Sequence, residues 1–187
     1  MPRPARPQVA GGLYHVTANS NCGRVVFRDN DEREQFLGFV EAGVTRYGWS
    51  CHSYCLLSTH YHLLVATPQP NISAGMQYLG GRYGQWANWH REERSHVFAG
   101  RFGSRLVVNE SHALEVHRYI ALNPVRAGLV RDPEAWRWSS LPAILGLAEA
   151  PAFLDVDAVF DELGSTRSAA RRRLRRFIQD GLEMDAA

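Results

Sequence analysis

The 187-residue sequence predicts an α+β fold, an antiparallel sheet with helices packed on it. Three observations carry this expectation. "DEREQFLGFVEAGVTRYG" repeats apolar residues at helical spacing between acids and a glycine, and "WSCHSYCLLSTHYHLLVATP" joins two β-prone runs at a short polar turn. The predicted elements then alternate as strand, helix, hairpin, helix, strand, helix, the order of an α+β sandwich.

The opening "MPRPARPQVAGG" is rich in Pro, Arg and Gly and reads as a flexible lead-in over residues 1–12. "LYHVTAN" follows as a first strand from Leu13. Phe36, Val40, Val44 and Tyr47 form one helical stripe, with acids in the first turn and Gly48 as the stop. The hairpin turns at Ser58-Thr59 and ends at Pro68. Ile72, Met76, Leu79, Tyr83 and Trp86 are spaced four, three, four and three, which predicts a second helix from Asn71 to about Arg91. Gly75, Gly80, Gly81 and Gly84 weaken that helix by about 1 kcal/mol each relative to alanine, so it is expected to be mobile. "SRLVVN" supplies a fourth strand, and "NESHALEVHRYIALNP" a third helix capped by Asn109, with Pro124 beyond its end.

Residues 13–145 are expected to form the main domain. After them come an acidic stretch from Glu149 to Glu162 and "SAARRRLRRFIQDGL", a basic amphipathic helix, so that 146–187 reads as a C-terminal appendage.

Composition narrows the function classes. All 21 basic residues are arginine, against 19 acids, for a formal net charge of +2. A GC-rich genome accounts for that bias, and the planar guanidinium also suits phosphates and base edges. Three cysteines without a charged-then-apolar leader argue against a secreted disulfide scaffold. No apolar run approaches the roughly 20 residues of a membrane span. The expectation is a soluble cytoplasmic protein with no membrane partner.

"STHYHLLV" sets His60 and His62 on one side of a strand, because successive side chains alternate. The pair is open to three readings: ordinary strand histidines, a zinc site completed by Cys51 and Cys55, or a two-imidazole site for a catalytic cation. A turn at Ser58-Thr59 sets Cys55 opposite His62. Cys51 then falls roughly 13 Å along the ladder, too far for one ligand sphere. A nearby nucleophile is available in Tyr83, in "LGGRYGQWAN", although Tyr83 also continues the apolar stripe of its helix.

Taken together, "GGLYHVTAN", "VFRDNDEREQFLGFV", "CLLSTHYHLLV", "YLGGRYGQWAN", "HVFAGRFGSRLVV" and "HRYIALNPVRAGLVRDPEAWRWSS" resemble the single-tyrosine HUH transposases, IS200-like, and among them the REP-associated tyrosine transposases. The resemblance spans about Gly12 to Leu145. It implies a ferredoxin-like or RRM-like sheet of the HUH endonuclease kind. It further implies His60 and His62 as ligands of a divalent metal, Mg²⁺ or Mn²⁺, with Tyr83 as nucleophile. The family's third ligand is often an amide one turn beyond the nucleophile. Position 87 is alanine, and Asn88 is the neighbouring candidate.

The implied activity is cleavage and rejoining of single-stranded, hairpin-bearing DNA through a 5′-phosphotyrosine. A catalytically inactive hairpin-binding regulator is the alternative. The REP-associated branch implies a monomer, the wider class a dimer. Arg82, Arg101, Arg105, Arg126, Arg172 and Arg175 are candidates for phosphate contact, and Trp138 for base stacking.

Overall fold

In the computed structural model, which describes residues 8–162 and 166–186, the sheet is built first from β1 (Gly12–Asn19), β2 (Ser50–Leu56), β3 (His60–Thr67) and β4 (Gly103–Leu106). Its order is β2-β3-β1-β4, and every pairing is antiparallel. Most of the lead-in assigned to 1–12 lies outside the described residues.

Helix α1 (Asn30–Tyr47) begins where Asp29 accepts from the Glu32 amide at 2.9 Å, while Glu32 Oε2 reaches back to the Arg28 amide at 2.7 Å. It stops at Gly48, whose φ of 66° suits a residue without a side chain. The predicted turn joins β2 to β3, and Cys55 stands opposite His62 in the ladder as the alternation required. Cys51 pairs with Val65 instead and joins the main core, whereas Cys55 packs with Leu64, Val116 and Ile120, so the two thiols lie in different clusters.

Helix α2 (Ile72–His90) lies with α1 on one face of the sheet, where Val16, Tyr61, Leu63 and Val65 meet Phe36, Leu79 and Tyr83 in the main core. On α2, Gly75 has a steric reason to be glycine: a Cβ there would stand 2.1 Å from the Trp49 ring. At Gly81 and Gly84 it would meet nothing within 4 Å.

Helix α3 (Glu110–Arg126) covers the opposite face, packing Val116 and Ile120 on Leu64 and Cys55. Its cap is Asn109, as the sequence predicts, but Pro124 lies inside the helix rather than beyond it. Proline removes one backbone bond there, and in the last turn that loss is small enough for the helix to continue to Arg126. The short helices α4 (Leu141–Ile144) and α5 (Val156–Glu162) and the long α6 (Arg167–Ala186) follow. Phe153, Phe160, Leu174 and Ile178 from this C-terminal part join the main core, and Gly181 of α6 lies against Arg118 and Leu122 of α3.

Candidate active site

Strand alternation turns His60 and His62 toward α3 and leaves Tyr61 and Leu63 to the main core. The two imidazoles stand edge to face, with centroids 5.0 Å apart. Each has its Nδ1 engaged by a neighbour. That of His60 lies 3.1 Å from Thr59 Oγ1, and that of His62 lies 3.0 Å from Nε2 of His15, on the paired strand β1. The Nε2 atom of His62 is buried and has no hydrogen bond of normal geometry, although the Asn123 side chain adjoins the ring and favours its protonated form.

Burial is the main cause holding these rings neutral. It lowers His62 to about 3, helped by His15 and His60, and His15 to about 4, helped by Arg105 and His112. His60 is lowered by burial too. At neutral pH each ring therefore keeps a lone pair, which a metal ion requires.

The structure does not bring Tyr83 to this pair. Its side chain is 0% exposed, and its hydroxyl donates to the Val26 carbonyl at 2.6 Å. Phe36 touches both Tyr83 and Tyr61, at 5.2 and 4.6 Å between ring centroids, which places Tyr83 on the far side of the sheet from His60 and His62. Burial raises its pKa, the wrong direction for a nucleophile. Asn88 is also elsewhere. Its Nδ2 donates to the Ser95 carbonyl at 2.9 Å and pins the segment that leaves α2.

The residues that do meet the histidines ride on α3. Tyr119 is 42% exposed, and its ring stands edge-on to His62 at 5.4 Å and to His15 at 5.5 Å. Asn123, one turn further along, donates to the Tyr119 carbonyl at 2.7 Å and lies beside His62. A cleft of about 670 Å³ adjoins Tyr119, lined by His15, Thr17, Arg105, His112, Glu115 and Tyr119, with His62 and Asn123 buried behind it. The sequence held a signal for this pair: of seven tyrosines, Tyr119 alone has an amide residue four positions on.

The IS200-like transposase family matches residues 8–123, a stretch that takes in His60, His62, Tyr119 and Asn123. The chain belongs to that family. It is therefore a DNA transposase, a DNA-processing enzyme. A REP-associated tyrosine transposase solved in complex with a REP hairpin superposes with a TM-score of 0.69 at 16% identity, covering 84% of this chain and 90% of that one. A putative transposase from Deinococcus radiodurans gives a TM-score of 0.45 at 16% identity, covering 63% of this chain and 95% of that one. None of the curated proteins compared matches this chain.

Within this transposase the arginines expected at DNA are widely scattered. Arg105 lines the cleft, and Arg126 holds its guanidinium 5.5 Å above the Tyr119 ring while bonding Asp185 at 2.7 Å. Arg101 lines a separate cleft of about 840 Å³ beside α2, and Arg82 lies over Phe39. Arg172 bonds Ser168, and Arg175 pairs with Glu134. Trp138 is 6% exposed in the main core, with the guanidiniums of Arg33 and Arg137 over its ring, and is too buried to stack on a base. Trp89, at 78%, is the exposed one.

Among the described residues, one other group could hold a cation: ligand atoms of Asp29, Glu32 and His90 lie within 4.8 Å of one another. Both oxygens of Glu32 are already taken, by Arg91 and by the Arg28 amide, and Asp29 caps α1. The histidine pair is the better donor set. No helix among the described residues is long and apolar enough to cross a membrane.

Proposed function

We propose that this transposase cleaves and rejoins single-stranded, hairpin-bearing DNA through a covalent 5′-phosphotyrosine at Tyr119. His60, His62 and Asn123 would hold a divalent cation, Mg²⁺ or Mn²⁺. The observation that carries the reading is the ring of Tyr119, which lines an open cleft and stands edge-on to the buried His62, with an amide one turn beyond it.

The donor set fits such an ion. Two neutral imidazoles stand 5.0 Å apart with both Nδ1 atoms engaged elsewhere, and the buried Nε2 of His62 has no hydrogen bond of normal geometry, with the Asn123 side chain beside it. When bound, the ion neutralises charge on a non-bridging phosphate oxygen. Tyr119 Oη attacks the phosphorus in line. Its bond to phosphorus forms as the bond to the 3′-oxygen breaks, the phenolic proton passes to solvent in the cleft, and the leaving oxygen takes up a proton as a free 3′-hydroxyl. Arg105 in the cleft, and Arg126 over the Tyr119 ring once released from Asp185, would supply positive charge for the phosphates. The phosphotyrosine conserves the ester's energy, so a 3′-hydroxyl can reverse the step and rejoin strands without a nucleotide cofactor.

A denaturing gel after incubation with hairpin-bearing single-stranded DNA and Mn²⁺ tests this. The native protein and Tyr83→Phe form a covalent adduct, and Tyr119→Phe forms none. An adduct that survives Tyr119→Phe and vanishes in Tyr83→Phe would overturn the assignment. Hairpin binding with no adduct from any form would leave a regulator.

A further inference from the structure

We infer that His15 is a positioning residue for this reaction: its Nε2 accepts the Nδ1 proton of His62, fixing the tautomer in which His62 Nε2 carries the lone pair. The inference rests on the proposed cation site and adds a residue from another strand to it.

The contact can be drawn in two ways. If His15 Nε2–H donates to His62 Nδ1, neutral His62 must carry its own proton on Nε2. That N–H would be buried with no hydrogen bond of normal geometry, only the Asn123 side chain beside it, and the ring could not ligate there. If His62 Nδ1–H donates to His15, the proton sits where it is satisfied, and the orphan Nε2 becomes an acceptor awaiting an electrophile. The second arrangement leaves no buried N–H without a hydrogen bond of normal geometry, and it frees Nε2, beside the Asn123 side chain, to take the cation that both residues would hold. It is also the pattern in which a ligating imidazole gives its other N–H to a neighbour that orients it.

The placement of His15 suits this role. It stands on β1 beside the strand of His62, with rings stacked at 5.2 Å and 28°. Its other side meets the Tyr119 ring at 5.5 Å. One side chain therefore sets the orientation of a ligand and abuts the ring of the nucleophile. Loss of the acceptor strands the His62 Nδ1–H and disturbs both.

Long-range ¹H–¹⁵N NMR of the metal-free protein reads the tautomer directly: His62 should show a protonated Nδ1 and an unprotonated Nε2. Mn²⁺ binding followed by electron paramagnetic resonance should weaken about 10- to 100-fold in His15→Phe. It should recover to within a few-fold of native in His15→Gln, whose amide oxygen can accept the same proton. A protonated Nε2 on His62 in the native protein, or native Mn²⁺ affinity in a folded His15→Phe, overturns the inference. If His15→Phe does not fold, the native tautomer and the His15→Gln affinity still decide. A native protein that shows the expected tautomer and binds no Mn²⁺ refutes the proposed cation site, an outcome distinct from a wrong tautomer.

Discussion

Two tyrosines stand on opposite faces of the same sheet, and their surroundings give them opposite characters. Tyr83 is enclosed by Phe27, Phe36, Trp86 and Phe98 and spends its hydroxyl on a backbone carbonyl. Tyr119 leaves part of its ring in an open cleft beside a neutral histidine pair. The chemistry of the phenol is identical in both. Burial and hydrogen bonding turn one into core and leave the other free to react.

The sharpest break in this comparison is exchange of the two hydroxyls. Tyr119→Phe should abolish covalent adduct formation while leaving the melting temperature close to native. Tyr83→Phe should keep the adduct and lose about 1 kcal/mol of stability in urea titration, since Arg91 still donates to the Val26 carbonyl.

The buried face should also fail when its ion pair is cut. Glu32 and Arg91, with side chains 1% and 5% exposed, form the charged layer beneath Tyr83. Glu32→Ala strands the guanidinium and should cost about 3–5 kcal/mol in equilibrium unfolding.

The histidine face should respond to pH. His15 and His62 resist protonation in the folded protein down to about 4 and about 3, against an ordinary value of 6.5. The unfolded chain thus binds more protons through that interval. Stability is full above about pH 6.5 and declines as pH falls, by at most about 1.4 kcal/mol per unit for each ring. Urea midpoints from pH 7 to 4.5 should show the slope, and His62→Phe should flatten it.

A finer test separates positions along α2. Gly75→Ala must push into Trp49 and should destabilise by about 1–3 kcal/mol, whereas Gly84→Ala meets open space and should stabilise by about 0.5–1 kcal/mol. The smallest effect belongs to Arg175→Ala, whose partly exposed pair with Glu134 should be worth under about 1 kcal/mol in thermal melts.

Most of the scaffold was legible because its signals are local. The Asp29 and Asn109 side chains, the Gly48 stop, the Ser58-Thr59 turn and the pairing of Cys55 with His62 each follow from a few adjacent residues. The proposed nucleophile was not, because an apolar stripe says that a helix packs and does not say on which face of the sheet. Tyr83 lies on the helix that directly follows the histidine strand, yet that helix covers the side carrying Tyr61. The amide at the fourth position after Tyr119 was a local signal too, and applying it to all seven tyrosines singles out α3. The burial of Trp138 was beyond local reach, since it joins a core assembled from distant segments, with Arg33 of α1 lying over its ring.

Helix α3 is held from behind by α6, through Gly181 against Arg118 and Leu122 and through Asp185 on Arg126. A DNA end joined to Tyr119 would thus be moored to a braced rod rather than a swinging arm. Exchange of strands would then have to come from movement of the nucleic acid, with the protein serving as the fixed anvil.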